Sequence, residues 1–283
     1  MNKISTYHFP SQVKEASAVL AKLKNRAVVL AGGTMLTKSI PAEAEAVVDI
    51  RNLGLDYIKA EKAFLRIGAG VTFTKMLGSD VLKSWAGGVL YDAAFRISSH
   101  LVRNMGTVGG NIVRAFPFNH LPPILLALDA QAVVMENGKS RTCPFAELYD
   151  KKLSAALGRT ALLVEIKIPA ASKNLAVHFE KFAKAASMWE SIALVCCAVE
   201  VKNGKCARIA VAVGSAVPRA KRLPTVEKLL LGNELTAAAV HHAAASAVKD
   251  AGTFTSVQAS AAYKSEILPV LVERAILSAA QGK

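Results

Sequence analysis

Short apolar runs alternate with amphipathic stretches along the chain, and their order is the first guide to its architecture. Ala27–Leu30, Val47–Ile50, Tyr57–Ala60 and Phe64–Gly68 are brief and apolar, as strands are. Helical stretches at Val13–Leu23 and Val89–Ile97 are interleaved with them, and another follows at Leu121–Leu128. Ala132–Glu136 and Ser140–Cys143 flank Asn137-Gly138, a pair that favours the type I′ turn and so predicts a hairpin. Ala161–Ile168 alternates into one more strand and stops at Pro169. The small, polar stretch Ala170–Asn174 marks a boundary. Beyond it lie strands Ala176–Lys184, Ile192–Val201 and Lys205–Val213, the last two joined at Asn203-Gly204. Helices follow at Thr225–Leu231, Thr236–Asp250 and Val257–Ala280, with Pro269 kinking or splitting the third. Strands first and helices after them describe a small sheet covered on one face. The class is α+β, without an internal repeat.

Two glycine-bearing segments interrupt this pattern, Ala31-Gly32-Gly33-Thr34 and Thr107-Val108-Gly109-Gly110-Asn111. Adjacent glycines let the backbone take positive φ and turn its N–H groups toward one point. Such concave runs bind anions, and a diphosphate needs two of them. The first segment leaves the strand Ala27–Leu30 and is expected to open a helix at Thr34 that Pro41 ends. A single Gly-Gly pair is commonly just a tight turn. Two pairs, each flanked by Thr or Asn, point to a shared diphosphate cradle. The spacing fits neither G-x-G-x-x-G nor G-x-x-x-x-G-K-[ST], which excludes a Rossmann fingerprint and a P-loop.

Composition narrows the field further. At 283 residues the chain can hold two domains, and its 52% hydrophobic content is that of a well-filled globular protein. No apolar run approaches the roughly 20 residues of a membrane helix. Met1–Ser5 lacks an apolar core of signal-peptide length, which reads as a cytoplasmic protein. The four cysteines (Cys143, Cys196, Cys197, Cys206) show no C-x-x-C spacing and read as small buried hydrophobes. A net charge of +14 raises nucleic-acid binding as a possibility. The basic residues are dispersed, as at Lys22, Lys24 and Arg26, at Lys151 and Lys152, and at Arg219, Lys221 and Arg222, without interleaved aromatics. A solvated basic face, or one meeting acidic partner subunits, accounts for them better. His8, His100, His178, His241 and His242 share no metal-ligand spacing.

The segments A-G-G-T-x-L (Ala31–Leu36) and R-N-x-G-T-V-G-G-N-I (Arg103–Ile112) resemble the FAD-binding subunit of the molybdenum hydroxylases, the xanthine dehydrogenase and carbon monoxide dehydrogenase family, in its separate-subunit form. Tyr7–Ser11 with the helix after it, Ile67–Thr72, Leu121–Leu128, Pro218–Ala220 with Glu227, and Ala262–Lys264 extend the likeness over nearly the whole chain. The resemblance implies a two-part FAD-binding domain of the PCMH (vanillyl-alcohol oxidase-like) type in residues 1–170, with subdomains of about 1–55 and 56–170. A C-terminal α+β domain of the carbon monoxide dehydrogenase flavoprotein type is implied in residues 175–283.

It further implies that Val29, Leu30, Ala31, Gly32, Gly33, Thr34, Met35 and Leu36 line the FAD diphosphate and ribityl region. Thr107, Gly109, Gly110 and Asn111 close the site from the other side. Ile97 and Leu163 fall at apolar positions near the adenine and its ribose. Lys181 falls on a family lysine that reaches the flavin, although counting back from Ile192 favours Lys184. Trp189 and Ile192 are candidates for the side chain over the flavin ring. Thr34 stands where some flavoproteins of this broader fold carry a covalently bonded histidine, so the FAD is expected to be noncovalent. His120 falls in the segment Phe118-Asn119-His120, where relatives commonly have Asp, and the arginine-rich segment of many relatives near Ala185–Trp189 is missing.

The function implied is electron transfer. A molybdopterin subunit hydroxylates the substrate, a [2Fe-2S] subunit passes single electrons on, and FAD delivers them to NAD⁺ or another acceptor. The implied assembly is a heterotrimer or its dimer, and likeness to the shorter xanthine-dehydrogenase-type subunits favours a purine or related N-heterocycle as substrate. A self-sufficient FAD oxidoreductase of the same fold, needing a proton-handling residue beside the flavin, and a basic non-enzymatic module are the alternatives.

Overall fold

The computed structural model describes residues 4–149, 151–185 and 188–282. Met1–Lys3, and Ala186 and Ser187 of the stretch where the arginine-rich segment of many relatives is missing, lie outside the described residues, as do the side chains of Lys151 and Lys152. Packing divides the chain into two units. The first takes the chain up to Ser79, Ser99–Arg114 and Ala130–Ala170; the second takes Asp80–Ser98, Ala115–Asp129 and the chain from Ala171 onward.

In the first unit, strands β1 (Thr6–His8), β2 (Ala27–Leu30) and β3 (Ala46–Asp49) form a parallel sheet in the order β1-β3-β2. A second, antiparallel sheet runs β4 (Ile58–Ala60), β5 (Phe64–Gly68), β8 (Ala161–Pro169), β6 (Gln131–Glu136), β7 (Lys139–Pro144). The helix Val13–Leu23 joins the two, burying Ala16 and Leu20 in one cluster with Ala46 and Val48 of β3, Met135 of β6 and Leu162 of β8. Burying a side chain such as Leu20, which is 0% exposed, contributes about 2 kcal/mol. The Asn137-Gly138 turn has φ of 50° and 74°, the left-handed pair that the hairpin reading requires, and the Gly138 N–H donates to Ser17 Oγ of that helix at 3.0 Å.

A cluster of charges closes the outer end of β5. The buried Glu165 carboxylate accepts from Tyr57 Oη at 2.5 Å and from Arg66 Nε at 2.9 Å. Burial, then the Glu165 charge, pushes the Tyr57 hydroxyl's pKa up to about 12. This group ties the loop before β4 to β5 and β8.

In the second unit, β9 (Ala176–Phe182), β10 (Ala193–Lys202), β11 (Lys205–Gly214) and β12 (Lys221–Arg222) form an antiparallel sheet in the order β12-β11-β10-β9. One face, with Val195, Cys197, Val211 and Val213, packs in a single core with Val226, Val240, Leu268, Val272 and Ile276 of the helices that follow. Leu194, Cys196, Ala198, Ala210 and Ala212 on the other face are also buried, and there Gly214 sits against Pro123 of the helix Leu121–Ala127. Both faces are therefore covered, which is why β10 reads as a continuous apolar run rather than an alternating one. All four cysteines are buried free thiols, and burial pushes the Cys196 and Cys197 thiols well up.

Two helical stretches differ from their sequence patterns. The Thr236–Asp250 stretch divides into Ala237–Ala245 and Ala247–Ala251, because Ser246 Oγ turns back to the Ala243 carbonyl at 2.6 Å and competes with the helical ladder. The C-terminal helix begins at Ala261, capped by Ser260 Oγ accepting the Tyr263 N–H, and runs unsplit past Pro269 to Ala280. The residues from Val257 to Ser260, expected inside that helix, are loop. Among the described residues no helix is long and apolar enough to cross a membrane.

Candidate cofactor site

β2 is an edge strand, and at its C-terminal end the chain turns away through Ala31-Gly32-Gly33-Thr34. The two glycines serve different needs. Gly33 has φ of +70°, which side chains disfavour, whereas a Cβ on Gly32 would lie 1.7 Å from the Met105 carbonyl oxygen. Among the described residues no protein acceptor takes the N–H groups of Gly32, Gly33, Thr34 or Met35. All four residues are only partly exposed. Consecutive N–H donors that the protein leaves free can serve an anion together, as backbone nests do.

The helix expected from Thr34 to Pro41 is a single 3₁₀ turn, Leu36–Lys38. Thr37 N and Oγ1 both bond the Gly33 carbonyl, at 3.3 and 2.9 Å, and Pro41 bars Ile40 from helical geometry, leaving too few residues for an α-helix. Leu30 and Leu36 pack on Val28, Ala44 and Val47, and Val29 packs on the core beneath the first helix. What this segment offers a ligand is therefore chiefly backbone.

The second glycine segment departs from expectation. Val108–Arg114 is α-helical, and neither Gly109 nor Gly110 has positive φ. Its amides are committed to protein: Val108 N donates to Val71 O at 2.9 Å, Gly109 N to Ala69 O at 2.8 Å, and Gly110 N to Thr107 Oγ1 at 3.1 Å. Gly109 is required because a Cβ there would stand 2.8 Å from both Cβ and O of Ala69. Close packing against Ala69, rather than a turned loop, explains Gly109; a Cβ on Gly110 would meet only Thr107 Oγ1, at 3.1 Å. Thr107, which accepts from Gly110, keeps its own hydroxyl proton to donate.

The two segments nevertheless meet within the first unit. Gly32 lies against Met105, and Arg114 Nη2 donates to Ser39 Oγ at 2.7 Å. Between them is a cavity of about 230 Å³ walled by Ala31, Gly32, Ile50, Leu55 and Met105, with Thr72, Thr107, Asn104 and Arg51 as polar lining. Arg51 is held by the buried Asp49 at the end of β3, bonded at 3.0 Å through Nε and 2.6 Å through Nη2. Burial alone would raise the Asp49 pKa, but the Arg51 bonds and charge outweigh it and hold the carboxylate below its ordinary value. A run of free N–H donors, two threonine hydroxyls, a fixed guanidinium and apolar walls suit a nucleotide diphosphate. Sequence reasoning missed Arg51; its signal was the charged pair Asp49 and Arg51 bracketing the end of an apolar run.

Leu163 is buried in β8 opposite Val134, and Asn111 lies in the helix Val108–Arg114. Ile97 and Lys181 stand in the second unit, Ile97 buried just after the helix Val89–Phe95. Lys181 Nζ donates to Met188 O at 2.8 Å and to Arg96 O at 3.5 Å, and burial, then the Arg96 charge, lowers its pKa. Lys184 is exposed with no partner among the described residues, so Lys181 is the positioned lysine of the two. Lys181→Met is expected to loosen the Met188 segment and lower the melting temperature. Lys184→Met should stay within about 0.5 kcal/mol of wild type in the same denaturation experiment.

His120 is 2% exposed, its Nδ1 bonding Ala93 O at 3.3 Å and its ring tilted on Phe179 at 5.6 Å. Burial, helped by the Lys181 charge, pushes its pKa down to about 3, so it is neutral and cannot stand in for a carboxylate. Ile192 is 5% exposed and belongs to the interior, whereas Trp189 is 44% exposed and meets the ring of Phe118 edge-on at 4.7 Å.

A strand-end glycine cradle, a fixed arginine and an apolar cleft are the marks of a dinucleotide-binding protein outside the Rossmann class. Residues 2–171 match the FAD binding domain in molybdopterin dehydrogenase, and residues 179–279 match the CO dehydrogenase flavoprotein C-terminal domain. The chain belongs to this family and is an FAD-binding oxidoreductase subunit. It is similar to the carbon monoxide dehydrogenase medium chain of Hydrogenophaga pseudoflava, at 29% identity over 278 residues covering 96% of each chain. It is also similar to the 6-hydroxypseudooxynicotine dehydrogenase complex subunit alpha of Paenarthrobacter nicotinovorans, at 26% identity over 96% of this chain and 93% of that one. Among solved structures, a chain of carbon monoxide dehydrogenase from Hydrogenophaga pseudoflava superposes with a TM-score of 0.92 at 28% identity, covering 100% of this chain and 99% of that one.

Proposed function

We propose that this chain is the FAD-carrying electron relay of a cytoplasmic molybdenum hydroxylase complex, working between an iron–sulfur subunit and a soluble acceptor. The observation that carries the reading is the run of unpaired N–H groups from Gly32 to Met35 beside a cavity with a fixed arginine. Those donors hold the diphosphate of FAD noncovalently, with the Thr34 and Thr107 hydroxyls and Asn111 completing the site and Gly109 and Gly110 shaping the backbone beside it. Ile97, Leu163 and Lys181 are further contacts on this reading, and residues 1–170 and 175–283 are its two domains. The chemistry that bound FAD would supply is the uptake of single electrons from a [2Fe-2S] partner and their release to the acceptor, for which NAD⁺ is our choice.

Support for partner subunits comes from the relatives, which are named medium chains or subunits of dehydrogenase complexes. Substrate identity then resides in the molybdopterin subunit, and this chain contributes cofactor position and access alone. Stopped-flow mixing of the substrate-reduced complex with NAD⁺ tests the acceptor. Flavin reoxidation at a rate matching turnover is expected. A complex that turns over with another acceptor but shows no reoxidation by NAD⁺ rules NAD⁺ out.

A further inference from the structure

Lys264 is 0% exposed, and no carboxylate pairs with it among the described residues. A buried ammonium without a counter-charge is costly, and its burial lowers its pKa. Its surroundings replace the counter-charge with three weaker partners. Nζ donates to the Ser215 carbonyl at 3.0 Å and to Ser256 Oγ at 2.9 Å, and it stands 4.1 Å from the centre of the Phe254 ring, a cation–π contact.

Both hydrogen-bonded partners lead to the same place. Ser215 has φ of +57°, an unusual conformation for a residue with a side chain, so its corner must be held by its contacts. Its hydroxyl meets Ser191 Oγ at 2.7 Å, and its N–H donates to the Pro117 carbonyl at 2.7 Å. Ser256 Oγ also accepts the Gln258 N–H at 3.3 Å, and Gln258 Nε2 donates to the Glu190 carboxylate at 2.6 Å. One arm therefore ends on Ser191 and the other on Glu190, the two residues after Trp189. The Ser215 N–H fixes Pro117, the residue before Phe118. Phe118 and Trp189 are the members of the edge-on pair, so the bonds that start from a single ammonium reach the chain beside both of its rings.

We propose that Lys264 is a positioning residue that, through Ser215 and Gln258, sets the face that Trp189 and Phe118 present to a planar ring ligand. The ligand is the flavin ring if Trp189 covers it, a step that rests on the function proposed above; the coupling of Lys264 to Trp189 does not. Acrylamide quenching of the chain without FAD separates the two. Trp85, the other tryptophan, is 3% exposed, so quenching reports Trp189.

Lys264→Met is expected to raise the Stern–Volmer constant roughly twofold as the segment loosens. Lys264→Arg, which keeps the cation, should restore it. Ser191→Ala, cutting one arm only, should give an intermediate rise and serves if Lys264→Met fails to fold. Unchanged quenching in folded Lys264→Met, or in Ser191→Ala if that variant must stand in, overturns the proposal. With FAD bound, Trp189→Ala should raise flavin emission. If it does not while Lys264→Met still loosens Trp189, the positioning role holds and Trp189 is not the ring cover.

Discussion

Gly32→Ala is expected to weaken FAD binding by at least ~100-fold, since losing two charge-assisted hydrogen bonds to a diphosphate costs about 3 kcal/mol or more. The added methyl would stand 1.7 Å from a backbone carbonyl oxygen, which cannot move aside as a flexible side chain would. The turn must open, and the N–H groups of Gly32 to Met35 leave their present arrangement. Gly33→Ala is milder. Its Cβ meets Leu30 Cδ1 at 3.3 Å and Thr37 Cγ2 at 3.8 Å, both side-chain atoms, and the φ of +70° costs about 1–2 kcal/mol, or roughly tenfold in affinity. Gly110→Ala should cost less than Gly32→Ala, because it is helical without positive φ and its added methyl meets one atom, the Thr107 hydroxyl at 3.1 Å, rather than a backbone carbonyl. Titrating each purified variant with FAD by flavin fluorescence gives the ranking, with melting of the FAD-free chain as the control for folding. Equal losses in Gly32→Ala and Gly110→Ala would mean that both glycine pairs act as turned loops, contrary to the helical geometry.

The second large effect concerns acid stability. His120 has a folded pKa of about 3 against an ordinary 6.5, so below pH 6.5 the unfolded chain takes up a proton that the folded chain refuses. Its contribution to stability is whole above pH 6.5 and drains away as the pH falls toward 3, at about 1.4 kcal/mol per pH unit. Urea midpoints for wild type and His120→Asn, taken at neutral pH and two units below 6.5, isolate this group from the other titrating residues. The wild type should lose about 2–3 kcal/mol more than the variant over that interval. Parallel losses would show that the imidazole is protonated in the folded chain, against its burial and the nearby Lys181 and Arg96 charges.

Much of this was legible in the chain itself, because local physics fixed it. The Asn137-Gly138 and Asn203-Gly204 turns have only one economical geometry between two strands, and the structure shows left-handed φ at all four residues. The turn at Gly33 was readable for the same reason. The role of Gly109 was not, since glycine is also chosen where another backbone comes close. The partner here, Ala69, lies 40 positions away in sequence. The helical stretch predicted after Thr34 overlooked how few residues remain before Pro41. Ser246 broke a helix that alanine-rich flanks promised, through one side-chain bond to a carbonyl three residues back. Lys264 looked like an ordinary helix lysine. Only the tertiary fold reveals that its ammonium is buried on Ser215, Ser256 and Phe254. Arg51 likewise became part of the site only once β2 and β3 were paired and Asp49 held its guanidinium beside the cavity.

The most direct test of the account is the flavin content of the purified chain. After incubation with excess FAD and removal of the unbound fraction, wild type should show a stoichiometric flavin absorbance band. Acid precipitation should release all of that flavin into the supernatant, as a noncovalent site requires, and Gly32→Ala treated alongside should show little or none. A folded wild-type chain that stays colourless, or one whose flavin remains with the precipitated protein, would contradict the account.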